Sequence, residues 1–190
     1  MPTAAIILAA GASTRLGQPK QLAALNGEPL LARAVRIAQQ AGCSPVLVVL
    51  GAEADRIRTA CPLSNVTVVL NEHWHEGMAS SIRTGIEALR NHDNEHSLSG
   101  VILMTCDQPA VTPSHLRALT ASGEITASEY AGRRGVPAYF PASSFPALIQ
   151  LSGDTGARDL LRDAHAITLP LGELDIDTPE ALAEAQRLFS

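Results

Sequence analysis

The chain has 190 residues, enough for one sizeable domain with its own hydrophobic core. Hydrophobic residues make up 46% of the chain and aromatic residues only 3%, so the core must consist mainly of Val, Ile, Leu and Ala. The formal net charge of −5 excludes a broad basic face and argues against DNA or RNA as a partner.

The three cysteines and the absence of long apolar stretches predict the compartment. Cys43, Cys61 and Cys106 include no Cys-x-x-Cys pair, so we expect free thiols in a reducing environment rather than zinc ligands. The apolar run near the start lacks the positive region of a signal peptide. No stretch approaches the roughly 18 apolar residues of a membrane span. A soluble, cytoplasmic protein without a membrane partner is expected.

The first predicted element is a buried parallel strand over Ala4–Ala10, which breaks at Gly11 into a loop of small residues. This loop presents two cations, Arg15 and Lys20. A loop at the carboxyl edge of a parallel sheet offers backbone N–H groups to anions. Neither the P-loop nor the dinucleotide fingerprint fits its glycine spacing. The loop predicts a phosphate site; a glycine-rich turn with incidental surface cations is the alternative.

Strand and helix patterns then alternate along the chain. Further strands are predicted at Pro45–Leu50, Val66–Leu70, Gly100–Met104 and around Tyr139 and Phe140; helices at Pro29–Gly42, Glu53–Ala60, Met78–Leu89, from Pro113 onwards, Ala157–Leu161 and Pro179–Leu188; and a loop at Asn91–Ser99. This order predicts an α/β fold, a three-layer α/β/α sandwich around a mostly parallel, Rossmann-like sheet. No linker or repeat interrupts it, so residues 1–190 are expected to form a single domain.

Carboxylates follow the fourth long strand and reappear near the end of the chain. Asp107 comes just after a buried strand, at the edge expected to carry the phosphate loop. Mg²⁺ bound with phosphates is commonly held by one or two carboxylates, so Asp107 is a candidate ligand; the alternative is a turn residue before Pro109. Asp175 and Asp177 share a face of an extended segment. We favour Asp177 as the second ligand, and Asp175 remains open.

Two histidines and several small polar residues follow the third long strand. A Gly and paired serines at a helix start offer hydroxyl and backbone groups to a flat polar ring such as a nucleobase; the candidates are Asn71, Gly77, Ser80 and Ser81. His73 and His75 lack a third ligand at a suitable spacing. We interpret both histidines as surface or substrate-facing residues rather than metal ligands.

Two later motifs predict contacts with a second substrate. Gly132–Pro137 is interpreted as a tight cationic turn, and 152–158 as a loop that opens a helix. Asp154 could cap that helix while Arg158 forms an ion pair within it. Alternatively, Arg158 or Arg133 binds a phosphate and Asp154 hydrogen-bonds a heterocycle. The residues alone leave both readings open.

Together these motifs resemble the molybdenum cofactor cytidylyltransferases within the wider molybdopterin nucleotidyltransferase family. The similar segments are Leu8–Lys20, Asn71–Ser81, Asp107–Pro109, Gly132–Pro137, Gly153–Arg158 and Asp175–Pro179. Guanylyltransferase relatives typically have Gly where this chain has Ala10, and Met where it has Gln108, which favours cytosine over guanine. Leu16 stands where relatives often carry Met, a swap that preserves volume.

The resemblance implies transfer of CMP from CTP to the terminal phosphate of molybdopterin, with release of pyrophosphate. It implies a nucleotide-diphospho-sugar transferase-like fold with a nucleotide-binding half (1–112) and an acceptor-binding half (113–190), Mg²⁺ as cofactor, and a recipient molybdoenzyme as a further partner. The implied catalytic residues are Lys20, Arg15 and Asp107, and the metal ligands are Asp107 and Asp177. The nucleotide would contact Leu8, Ala9, Ala10, Gly11, Ser13, Arg15, Lys20, Asn71, Gly77, Ser80 and Ser81, and the acceptor Arg133, Gly135, Pro137, Asp154 and Arg158.

Two other functions remain open. A relative could transfer a nucleotide to a different phosphorylated acceptor, such as a sugar phosphate or an isoprenoid precursor, or use GTP. A protein of another class would bind and deliver the cofactor without catalysis. Lys20, Asp107 and Asp177 argue against a carrier, because a carrier needs no metal site.

Overall fold

The computed structural model describes residues 1–92, 98–154 and 156–189. Its strands are β1 (Thr3–Ala9), β2 (Ala24–Leu25), β3 (Glu28–Pro29), β4 (Val46–Leu50), β5 (Thr67–Leu70), β6 (Gly100–Thr105), β7 (Thr126–Tyr130), β8 (Arg133–Pro141) and β9 (His165–Thr168). Its α-helices are α1 (Leu30–Gln40), α2 (Ala54–Ala60), α3 (Met78–His92), α4 (Pro113–Thr120), α5 (Phe145–Ile149), α6 (Arg158–Leu161) and α7 (Pro179–Leu188).

A seven-stranded sheet in the order β5-β4-β1-β6-β8-β7-β9 forms the centre of the fold, and β2 and β3 form a separate hairpin. Within the seven-stranded sheet, β8 pairs antiparallel with both β6 and β7, whereas the other pairs are parallel. The chain places β4 and β5 on one side of β1 and β6 on the other. A crevice therefore lies at the carboxyl ends of β1 and β6, where open α/β sheets bind ligands.

Helices cover both faces of the sheet, which confirms the predicted three-layer α/β/α sandwich. Alternate residues of β1 point to opposite faces: Ala5 and Ile7 pack with α1, α2 and α4, whereas Ile6 and Leu8 pack with α3, α5 and α6. A third apolar cluster joins the first loop, the hairpin and α7. None of the described helices is long and apolar enough to cross a membrane.

Threonine side chains cap the start of two helices. Thr112 accepts a hydrogen bond from the backbone N–H of His115 at 3.2 Å and begins α4. Thr178 accepts one from Ala181 N–H at 3.2 Å and begins α7. Thr112 rather than Asp107 therefore caps α4, and the Asp107 carboxylate is available for another role.

The predicted cationic turn at Gly132–Pro137 is wrong. Arg133 to Pro141 form strand β8, and the turn is the two-residue Ala131–Gly132 link from β7. Both residues have positive φ, 47° and 70°, as tight hairpin turns require. Ala131 lacks the Asn or Asp signal usual at that position, so the turn is hidden in the sequence. The predicted loop at Asn91–Ser99 also starts too early, because α3 continues to His92; 93–97 lie outside the described residues.

Substitution of Gly100 tests how closely β6 and β8 pack where the parallel and antiparallel parts of the sheet meet. A Cβ at Gly100 would overlap the carbonyl oxygen of Phe140 on β8, where backbone must move to make room. We expect Gly100→Ala to lower the free energy of unfolding by about 1–3 kcal/mol, measured by thermal or urea denaturation. Gly11→Ala is the control, because nothing lies within 4 Å of its Cβ position. Equal stability of the two variants would contradict this account.

Candidate active site

Lys20 joins three distant parts of the chain at the crevice. Its Nζ donates to Asp107 Oδ2 at 2.5 Å and to Asp177 Oδ1 at 2.7 Å. Lys20 begins a short 3-10 turn after the first loop, Asp107 follows β6, and Asp177 precedes α7. The structure thus brings together the three residues that the sequence singles out, which we call the Lys20 cluster.

Arg15 adds a second cation to the cluster from the solvent side. Its Nη2 donates to Asp177 Oδ2 at 2.6 Å, and the Arg15 side chain is 72% exposed. An ion pair this exposed contributes little to stability. Arg15 is therefore available to exchange Asp177 for another anion at low cost.

Charge and burial set the protonation of Lys20 and Asp177. Burial alone would lower the pKa of Lys20, but the charge and hydrogen bonds of Asp107 and Asp177 outweigh it and raise that pKa. Burial would raise the pKa of Asp177, but hydrogen bonds and charge from Lys20 and Arg15 lower it overall. Both groups are ionised at neutral pH.

Asp175 is a third carboxylate on the same cleft wall, where neighbouring cations offset the effect of burial only in part. Burial, followed by the negative charges of Asp107 and Asp177, raises its pKa to about 6. Lys20 and Arg133 act in the opposite direction but do not cancel this effect. Asp175 and Asp177 both line the cleft, as their shared face predicts.

Ile176 fixes the position of these two aspartates, a role that the sequence analysis missed. Its backbone N–H donates to the carbonyl oxygen of Asp107 at 2.9 Å. Its side chain is fully buried in the cluster formed with Leu16, Leu25 and other apolar residues. The carboxylates before and after Ile176 are therefore held against the Asp107 turn by an apolar anchor. The sequence signal for this role is the apolar residue Ile176 between two aspartates, Asp175 and Asp177.

The carboxylates suit a small divalent cation that is bound only in part by the protein, rather than a metal site made entirely of protein ligands. Asp107 Oδ1 is buried and has no hydrogen-bond partner among the described residues. Within those residues no group of three or more His, Cys, Asp and Glu has metal-binding geometry. Mg²⁺ usually takes only one or two carboxylates and completes its shell with phosphate oxygens and water. The unpaired oxygen and the neighbouring Asp177 match that pattern.

A cleft of about 900 Å³ extends from the Lys20 cluster toward β7, β8 and α6. Several residues predicted to contact a second substrate line it: Arg133, Gly135, Asp154 and Arg158. Pro137 does not line it; its carbonyl instead accepts a hydrogen bond from buried Ser128 at 2.6 Å. Cations and carboxylates therefore share one cleft with the predicted metal ligands.

Asp154 is not a helix cap. Helix α6 starts after Ala157 without a side-chain cap, and Arg158 forms no ion pair within the described residues. Asp154 lies against Gly77 instead: a Cβ added to Gly77 would stand 2.5 Å from Asp154 Oδ1. The capping alternative is thereby excluded, and the two side chains stay free for a ligand.

Gln21 holds the first loop in shape, and the sequence analysis overlooked it. This fully buried side chain donates from Nε2 to the carbonyl oxygens of Ala9 at 2.7 Å and Gly11 at 3.2 Å. Ser13 Oγ accepts from the Lys20 N–H at 3.1 Å. Leu8, Ala9 and Ala10 are buried, whereas Gly11 is exposed. A polar residue buried in a loop has no periodic pattern, so its role could not be predicted.

The polar residues after β5 are bound to one another. Asn71 Nδ2 donates to the hydroxyls of Ser80 at 2.8 Å and Ser81 at 3.0 Å, and its Oδ1 accepts from His73 N–H at 2.9 Å. All three polar side chains are at least 95% buried. They shape the turn from inside, so any contact with a base is left to the outer surface of that turn. His73 and His75 are exposed there, as expected for surface residues.

The two aspartates near α7 should respond oppositely to substitution when a chelator is present. A carboxyl with a raised pKa destabilises the folded protein as the pH rises from about 4 to above 6. Asp175→Asn should thus raise Tm at pH 8, and the gain should vanish near pH 4. Screening by solvent limits it to about 1 kcal/mol, or roughly 2–4 °C.

Asp177→Asn is the matched comparison. Its carboxyl has a lowered pKa, so it stabilises the folded protein above its ordinary pKa of 3.8 and loses this effect as the pH falls. Tm at pH 8 should therefore drop in this variant. A lower Tm for both variants at pH 8 would contradict the opposite pKa shifts of Asp175 and Asp177.

Known proteins resemble this chain over nearly its whole length. Nicotine blue oxidoreductase from Paenarthrobacter nicotinovorans is 33% identical, over 97% of this chain and 93% of that protein. Molybdenum cofactor cytidylyltransferase from Escherichia coli is 27% identical, over 97% and 96%. The crystal structure of Rv0371c from Mycobacterium tuberculosis in complex with manganese superimposes with a TM-score of 0.79, at 28% identity over 98% of this chain and 99% of that one.

Residues 5–168 match the MobA-like NTP transferase domain. This match covers both halves of the sheet, the first loop and Asp107. It agrees with the resemblance drawn from the motifs and with the α/β architecture. The chain belongs to the MobA-like NTP transferase family and is a nucleotidyltransferase.

Proposed function

We propose that this enzyme transfers CMP from CTP to the terminal phosphate of a molybdopterin-type acceptor and releases pyrophosphate. The observation that carries the proposal is the Lys20 cluster in the wall of a cleft that also contains Arg133 and Arg158, which have no carboxylate partner among the described residues. Residues 1–112 supply the nucleotide side of this arrangement, and residues 113–190 the acceptor side. A recipient molybdoenzyme is a further partner in this proposal.

The first loop binds the triphosphate. Its backbone is held by Gln21 in a fixed shape, and its cations Arg15 and Lys20 supply charge-assisted contacts to phosphate oxygens. In an acidic protein such a concentration of cations suits a ligand that carries several negative charges. These two side chains stabilise the pyrophosphate as it leaves.

Asp107 and Asp177 would hold Mg²⁺, which supplies charge neutralisation at the α-phosphate when it is bound. The unpaired Asp107 Oδ1 supports this assignment. Asp175 faces the same cleft and remains the alternative second ligand. Ile176 holds Asp175 and Asp177 against the turn that carries Asp107.

The reaction needs positioning and charge neutralisation more than a general base. An oxygen of the acceptor phosphate attacks the α-phosphorus, the bond to the β-phosphate oxygen breaks, and pyrophosphate leaves with the electron pair. The attacking phosphate is already an anion at neutral pH, so no proton has to be removed. Alignment of the two phosphates in one cleft supplies most of the acceleration.

The far side of the cleft binds the acceptor. Arg133 and Arg158 have no carboxylate partner among the described residues, and Arg133 lies 5.5 Å from the centre of the Tyr130 ring. Unpaired arginines suit phosphate or another oxyanion. Asp154 is free to accept hydrogen bonds from a nitrogen heterocycle, and Gly135 keeps room beside the Tyr130 hydroxyl. Pro137 lies behind the residues that line the cleft, and its carbonyl oxygen accepts a hydrogen bond from Ser128.

A pyrophosphate-release assay tests the proposed function directly. The wild-type enzyme should release pyrophosphate with CTP, Mg²⁺ and molybdopterin together, and should not do so when the acceptor is omitted. Release of pyrophosphate with a sugar phosphate but not with molybdopterin would show that the acceptor is a sugar phosphate. No release with any phosphorylated acceptor, despite tight binding of the cofactor, would favour a delivery protein.

Removing the cluster's charges should separate binding from turnover. Lys20→Ala should weaken CTP by about 1.5–3 kcal/mol while the protein stays folded, and Asp107→Asn should abolish turnover. The measurements are calorimetric titration with CTP and the pyrophosphate assay. Arg117→Ala on α4, remote from the cleft, is the control. Normal CTP affinity and turnover in Lys20→Ala would refute the assigned role.

The base preference is expected to depend on Ala10. Its methyl group would crowd the second ring of a purine but leave room for a pyrimidine. One misfitted group in a pocket costs about 1–3 kcal/mol, or roughly 10- to 200-fold in kcat/KM. We therefore expect CTP to be preferred over GTP, and Ala10→Gly to narrow the preference without reversing it. A wild-type enzyme that uses both nucleotides equally would contradict the choice of cytosine.

A further inference from the structure

Trp74 is the only tryptophan of the chain and lies on the outer surface of the turn after β5. Its side chain belongs to a 3-10 turn, Trp74–Glu76, and the residue is 37% exposed. Aromatic residues make up only 3% of the chain. Among the described residues Trp74 belongs to none of the three hydrophobic clusters, so packing in the core does not account for an indole at this position.

The indole is placed beside the end of the first loop. A Cβ on Gly51, at the end of β4, would stand 2.6 Å from Trp74 Cβ and 2.8 Å from the carbonyl oxygen of Ala10. The same carbonyl accepts a hydrogen bond from Ala52 N–H at 3.0 Å. Trp74 therefore packs on Gly51 directly next to Ala10, at the carboxyl edge of β1 and β4.

The turn that carries Trp74 is fixed from inside. Ser80 Oγ lies 2.9 Å from the carbonyl oxygen of His73 and 2.8 Å from that of Gly77, and Asn71 accepts from His73 N–H. These contacts come from buried side chains on both sides of the turn. The backbone that carries Trp74 is thus held in one conformation, and about a third of the residue's surface, 37%, faces solvent where a flat ligand could cover it.

We propose that the Trp74 indole stacks on the nucleobase of the bound triphosphate. This inference rests on the proposed function, since it takes the first loop as the nucleotide site. Stacking uses the flat face that every base has, so it adds affinity without selecting a base. Trp74 would then bind the nucleobase through its flat face, whereas the methyl group of Ala10 limits the size of the base. The polar turn residues Asn71, Ser80 and Ser81 act by holding the indole in place.

The single tryptophan makes the test direct, because its fluorescence reports Trp74 alone. With Mg²⁺ present, CTP should change the emission of the wild-type protein, and tripolyphosphate, which has no base, should bind without that change. Trp74→Leu should weaken CTP roughly 5- to 150-fold but leave the affinity for tripolyphosphate unchanged in calorimetric titrations. Trp74→Phe, which retains a ring, should bind CTP nearly as well as wild type. Leu188→Ala, another exposed apolar residue, is the control.

Each result has a distinct meaning. Unchanged wild-type emission with bound CTP, or normal CTP affinity in Trp74→Leu, overturns the stacking role and leaves the proposed function intact. Equal losses of CTP and tripolyphosphate affinity in Trp74→Leu also overturn it, because the residue would then merely support the loop. A wild-type protein that binds neither CTP nor tripolyphosphate refutes the proposed function itself. If Trp74→Leu does not fold, the wild-type emission with CTP and with tripolyphosphate still decides.

Discussion

One ammonium group shared by two carboxylates is the interaction on which the site depends. Lys20 is 87 residues from Asp107 and 157 residues from Asp177 in sequence, yet bonds to both. Two carboxylates this close repel one another, and a repulsion of a few kcal/mol is expected at such separations near a protein surface. The lysine removes that repulsion in the free enzyme. Any polyphosphate that takes the lysine away must be accompanied by other positive charge, so binding of anion and cation is coupled by electrostatics.

Much of the fold could be predicted from the sequence because buried parallel strands are continuous apolar runs. The apolar runs predict strands at Ala4–Ala10, Pro45–Leu50 and Gly100–Met104, each within one residue of the strands β1, β4 and β6. The placement of Asp107 follows from the parallel direction of these strands. The β7–β8 hairpin could not be found this way, since its turn uses Ala131 and its strands mix charged and small residues. The roles of Gln21 and Ile176 also escaped prediction. Each role depends on a hydrogen bond to a backbone carbonyl elsewhere in the chain, and no local sequence pattern specifies that bond.

The two halves of the chain contact each other away from the Lys20 cluster as well. Ala79 N–H donates to the carbonyl oxygen of Gly153 at 3.3 Å, and Gly77 admits the side chain of Asp154. The turn that carries Trp74 and the loop that carries Asp154 are therefore in direct contact. A ligand that shifts one of these segments must disturb the other. Glycine at position 77 is needed twice, for this approach and for its φ of 101°.

The anchoring of Ile176 has a consequence for how the chain can be divided. Strand β9 ends at Thr168, which completes the seven-stranded sheet and is also the last residue of the family match. The residues after Thr168 add buried Leu169 to the main core, join Leu174, Ile176 and helix α7 to the third apolar cluster, and carry Asp175 and Asp177. A polypeptide that stopped at Thr168 would retain each strand of that sheet but would lack one of the two carboxylates that bind Lys20. This C-terminal stretch therefore contributes at once to the hydrophobic packing of the domain and to the carboxylates that surround Lys20.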